Sequence, residues 1–106
     1  MNDLSTWFEQ QHHGLHTFRS FQQKLSDLSR RTPEHSALCQ LLSNLVAPYI
    51  DAYDEAPLPA VEAERAHRRL SELLATIDLA APAERRLADF NRIAGCDLIG
   101  ASMFSR

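Results

Sequence analysis

Residues 6–30, TWFEQQHHGLHTFRSFQQKLSDLSR, decide the fold class. At 100° per residue, Phe8, Leu15, Phe18, Phe21, Leu25 and Leu28 fall on one side, with Leu4 and Trp7 beside them, which predicts an amphipathic helix. Thr6-x-x-Glu9 matches a capping box, in which the two side chains satisfy backbone N–H groups, so a start at Thr6 is expected. Gly14 sits inside the run and costs about 1 kcal/mol relative to alanine, so a kink or fray is expected there. The cations Arg30 and Arg31 suit the negative end of the helix dipole and mark its close.

Three more helices follow by the same reasoning. Thr32-Pro33-Glu34 is a cap residue followed by proline at the first helical position, and it opens a helix over 33–53. Its stripe is Leu38, Leu41, Leu42, Leu45, Tyr49 and Tyr53, widened by Val46 and Ile50. Pro48 lacks an N–H, so this helix is expected to bend or end early. After the loop Asp54–Pro59, a helix over 59–77 turns Ala63, Ala66, Leu70, Leu73, Leu74 and Ile77 inward. A last helix over 82–94 is expected to bury Leu87, Phe90 and Ile93 and to stop at Gly95. The tail, 95–106, is unusually apolar for a terminus, with Leu98, Ile99, Met103 and Phe104.

Composition agrees with an all-α reading. Fifteen leucines and fourteen alanines stand against two valines, four isoleucines and four threonines. Unbranched and small side chains lose little rotamer freedom in helices, whereas branched ones favour strands. The expectation is one domain over 1–106, a small antiparallel bundle of about four helices with a proline-kinked second helix. A chain of 106 residues buries about two-thirds of its unfolded surface, enough for one modest core. No apolar run approaches the ~20 residues that span a bilayer. The opening MNDLSTWFEQQH lacks the charged-then-apolar layout of a secretory signal, which predicts a cytoplasmic chain.

Chemical signatures are sparse. Cys39 and Cys96 form no C-x-x-C and read as small core or boundary residues. His12 and His16, four apart on the expected helix, could grip a metal, but His12, His13 and His16 lie opposite the apolar stripe and supply fewer ligands than zinc needs. Arg65, Arg68 and Arg69 with Arg85 and Arg86 could give a helix-turn-helix a basic face. Against this, Glu62, Glu64, Glu72 and Glu84 lie close by, and the second helix opens on Pro82-Ala83-Glu84, poor side chains for reading bases. The net charge of −3 leaves no electrostatic footprint for nucleic acid. Asp51, Asp54 and Glu55 cluster beside an exposed loop, where nothing drives their pKa values apart. Ser102 lies outside any G-x-S-x-G elbow. No enzyme, cofactor or metal is expected.

Length carries the functional expectation. A continuous helix over 6–30 would be roughly 37 Å long and the last helix only about 20 Å, so four segments cannot cover the longest stripe. Trp7, Phe8, Leu15, Phe18, Phe21, Leu98, Ile99, Met103 and Phe104 are therefore expected at a partner-binding face, since large apolar patches on small proteins mark interaction sites. The expectation is a non-catalytic regulator, an adaptor or antagonist for a larger protein such as a transcriptional regulator, and itself a homodimer that Phe18→Glu would dissociate. In size alone it is similar to the small helical antiactivators and secretion chaperones of bacteria. The alternatives are a histidine-based metal or ligand bundle and a small DNA-binding regulator.

Overall fold

The fold is seen in a computed structural model that describes residues 2–96 and 98. Every element among them is helical: α1 Asn2–Glu9, α2 Leu15–Arg31, a 3-10 turn Pro33–His35, α3 Ser36–Tyr53, α4 Ala60–Ala75 and α5 Ala83–Ala94. The all-α expectation holds, with five helices where four were expected.

The extra helix comes from a break in the 6–30 segment. The chain is already helical at Asn2, so Thr6 lies inside α1 and caps nothing. At the other end of α1 the Gln11 side chain donates to the Trp7 carbonyl at 3.1 Å, satisfying one of the acceptors that a helix end leaves open. The His12 ring turns onto the chain ahead of it and accepts the Gly14 N–H through Nδ1 at 3.0 Å. Gly14 is extended, with φ −73° and ψ 164°, and leads into α2.

The break solves the coverage problem that a straight rod would pose. In one continuous helix Phe8 and Phe21 would stand roughly 20 Å apart along the axis. Here their ring centroids are 5.4 Å apart, and Phe8 meets Phe18 edge-on at 5.5 Å. Each of these three phenylalanines is 0% exposed. The aromatic cluster continues through Phe18 to Tyr49 of α3 at 4.7 Å. Edge-to-face and tilted rings at such spacings contribute about 0.5–1.5 kcal/mol per pair beyond area burial.

α2 packs along α3, α1 against α4, and α3 against α5, while α1 also touches α2. Leu38, Leu42, Val46 and Tyr49 line the inner face of α3, and the inward positions expected for α4 are all buried. α3 stays helical through Pro48 to Tyr53, and Pro48 is exposed. The Tyr49 hydroxyl is buried without a hydrogen-bond partner, and burial pushes its pKa up to about 12, with Tyr53 and Glu62 adding to the rise.

The last helix departs from expectation. Ile93 is buried, Phe90 is half-buried, and Leu87 is 60% exposed. Each three-residue step falls 60° short of a full turn, so Leu87 lies two steps, roughly 120°, from Ile93. The α5 position that faces inward instead is Asp89, buried with Ile93. Gly95 ends α5 with φ −90° and ψ 0°, its N–H donating to the Asn91 and Arg92 carbonyls. That geometry is open to any residue, and the left-handed glycine cap does not form.

Candidate functional site

α1 and the second half of α2 flank a groove of about 450 Å³ lined by Asp3, Leu4, Trp7, Lys24, Asp27, Leu28, Arg31 and Leu79. Lys24, Asp27, Leu28 and Arg31 share one face of α2 because they are spaced three and four apart. Leu4 and Trp7 supply the wall from α1. Leu79 arrives from the connection between α4 and α5. All four apolar lining residues are half-buried and rest on the core. They therefore form a floor that is held in place yet reachable from outside.

Charges ring that floor. Lys24 Nζ lies 4.7 Å from the centroid of the Trp7 ring, a cation–π contact worth about 0.5–1 kcal/mol at an exposed site. Asp27 forms an ion pair with Arg30, and its backbone carbonyl accepts the Arg31 Nε–H at 3.4 Å. Asp3 is exposed on the α1 side. The result is a groove of ligand-site size with an apolar floor and a rim carrying both signs of charge. Such a rim can fix orientation, while the floor supplies buried area. The titratable groups of the lining are the carboxylates of Asp3 and Asp27, the amine of Lys24 and the guanidinium of Arg31.

The expected partner-binding residues divide into three groups. Trp7 lines the groove, and Leu15 is half-buried against the core. Phe8, Phe18 and Phe21 do not stand on an exposed face, because the break at Gln10–Gly14 folds Phe8 back over the other two. Leu98 is 3% exposed and belongs to the same core. Ile99, Met103 and Phe104 lie outside the described residues.

The histidine alternative loses its helical spacing. His12 lies in the break and not on a helix with His16, so the i,i+4 metal grip does not form. Among the described residues no cluster of three or more His, Cys, Asp or Glu is placed to hold a metal. Of the five arginines expected on a basic face, Arg68 meets Glu64 at 3.0 Å, Arg65 meets Glu62 at 3.1 Å and Arg85 lies 3.7 Å from Asp89, while among the described residues no acid pairs with Arg69 or Arg86. Cys39 is a free, buried thiol whose pKa burial pushes up, and Cys96 is free as well.

Two buried polar residues escape a reading by composition. His67 stands in the basic run Arg65–Arg69, yet it is 5% exposed. Its spacing from Ala63, Leu70 and Leu74 places it on the inward face of α4, a signal that helical periodicity contains. Asp89 shares the buried side of α5 with Ile93, four residues on. Its Oδ1 takes Arg92 at 3.0 Å, while Oδ2 is buried without a partner. Leu79 had no periodic signal, because it lies between helices.

No protein-family model matches the chain, and no curated protein or solved structure gives a significant match. Among the described residues, no helix is long and apolar enough to cross a membrane.

Proposed function

We propose that this chain is a non-catalytic protein–protein interaction module, an adaptor or antagonist that holds a larger protein partner through the Trp7 groove. The observation that supports it is the groove itself: the chain's single tryptophan, half-buried beside Leu4, Leu28 and Leu79, under a rim of Asp3, Lys24, Asp27 and Arg31. Tryptophan beside fixed apolar neighbours is the usual composition of a binding hot spot. The fitting partner is an amphipathic helix that inserts one large apolar side chain between α1 and α2 and meets the rim with charges of both signs. A regulator of this kind acts by covering surface on its partner, which requires only shape and buried area. A cytoplasmic setting and a homodimeric form belong to the same proposal, with light scattering as the direct measure of the dimer.

Leu28→Glu places a carboxylate on the groove floor while leaving the core aromatics untouched. Immobilised wild-type protein and Leu87→Glu, a control on exposed α5 surface, are expected to retain the same protein from an extract of the producing cells. Leu28→Glu is expected to lose it by at least tenfold, the ratio that about 1.4 kcal/mol of lost binding produces. Equal retention by all three forms would remove the groove from the account.

A further inference from the structure

We propose that His67 is an acid-operated latch, whose ring holds α1 on α4 while neutral and releases it on taking up a proton. The geometry is that of a fastening. His67 Nε2 lies 2.9 Å from the Phe8 carbonyl oxygen in a buried contact. A carbonyl only accepts, so the neutral ring carries its proton on Nε2 and donates it to Phe8; a second proton goes to Nδ1 and keeps that bond, so what acid works against is placing a charge on a ring only 5% exposed and pressed by His13. The same ring stacks on Phe8 at 4.4 Å with an interplanar angle of 14°, and His13 lies against it at 4.3 Å. One side chain of α4 thus grips the end of α1 and the start of the break.

α1 depends on such a grip. It is eight residues long, and helices shorter than about 12–15 residues are marginal in water without packing. The groups acting on the His67 charge can be enumerated from the elements around it. The Phe8 carbonyl and Glu9 of α1 favour the cation, whereas burial, the largest influence, opposes it together with His13 and His12. The balance lowers the His67 pKa below its ordinary value of 6.5.

The sign follows by linkage. Undocked, His67 faces water and binds a proton near its ordinary pKa. Docked, it binds one only at lower pH. The latch therefore holds fully above about pH 6.5 and weakens as pH falls through the lowered value of the docked form, by at most about tenfold in the docked-to-undocked ratio per pH unit for one proton. Release would also dismantle the groove, since Leu4 and Trp7 come from α1. That consequence rests on the groove reading; the latch does not.

Because Trp7 is the only tryptophan, its emission reports α1 alone. Wild-type protein titrated from about pH 7.5 to about pH 4.5, which brackets the histidine range, is expected to show a red shift of Trp7 emission. The His67 ring signals in an NMR titration should move with the same midpoint, below 6.5. His67→Gln keeps an N–H donor for Phe8 but cannot titrate, and it should leave the emission flat over that range. A wild-type emission that stays constant, a shift that persists undiminished in His67→Gln, or a His67 midpoint out of step with Trp7 overturns the latch. The ring titration uses wild-type protein, so the idea stays exposed to refutation if the variant fails to fold. A working latch with equal partner retention by Leu28→Glu would sink the groove reading alone.

Discussion

Phe18→Ala is expected to lower the unfolding free energy by about 3–5 kcal/mol, the usual cost of deleting a buried phenylalanine side chain. Phe18 is fully buried, and it joins the two halves of the core by touching Phe8 edge-on at 5.5 Å and Tyr49 at 4.7 Å. Truncation loses its transfer free energy and also opens a cavity between α1, α2 and α3. Domains of this size are stable by only about 5–15 kcal/mol, so the variant should stand near the limit of folding at physiological temperature. Urea unfolding followed by circular dichroism measures the loss, and melting should fall by on the order of 12 °C or more. A change under about 0.5 kcal/mol would mean that Phe18 is not in the core, since that is the range of surface substitutions. The same burial alters the meaning of Phe18→Glu. A carboxylate there would unfold the protomer, so loss of a dimer in that variant would say nothing about a dimer interface.

Phe8→Ala should cost a similar ~3–5 kcal/mol, but it should be felt first in one helix. Phe8 is the part of α1 that reaches the centre, meeting Phe18, Phe21 and the stacked His67 ring. Without its ring α1 keeps the half-buried Leu4 and Trp7, the buried Ser5 and the His67 bond to the backbone carbonyl of residue 8, which is little apolar burial for an eight-residue helix. Amide hydrogen exchange is expected to show α1 nearly unprotected while α2 and α3, which pack along each other, keep measurable protection. Uniform loss of protection across all helices would show that α1 is no separable unit. Continued protection of α1 would show that contacts other than Phe8 dock it.

How far these features could be read beforehand depends on the kind of physics behind each. The stripes of α3 and α4 were legible because burial there follows a 100° repeat, and Ala63, Ala66, Leu70, Leu73 and Leu74 are all inside. The break at Gln10–Gly14 was legible only as a weak point at Gly14, where a kink or fray is expected. A glycine costs a helix only about 1 kcal/mol, which marks a weak point without saying that the chain must turn. What decides it is tertiary: Phe8 gains Phe18, Phe21 and His67 only if the helix stops and folds back. A kink alone would not bring Phe8 onto Phe18 and Phe21, and the return of α1 over α2 is what places all three inside. Leu87 shows a smaller failure, an i,i+3,i+6 ladder drifting off the buried face that Asp89 and Ile93 mark instead.

The site was legible only in part. Trp7 was picked out as a binding residue and does line the groove, but for a different reason than the one that selected it. It is reachable because it sits in the last turn of a short helix beside α2. Leu79 and the rim charges were invisible, since a connection between helices has no period and charges on a helix read as solvent-facing by default.

A benzoyl-phenylalanine photocrosslinker in place of Leu28 captures whatever sits against Trp7, with the same group in place of Leu87 as the reference on exposed surface. Irradiation in an extract of the producing cells is predicted to give one discrete higher-mass adduct from position 28 and none of that mass from position 87. No adduct at position 28, or the same set of adducts from both positions, would contradict a partner seated against Trp7.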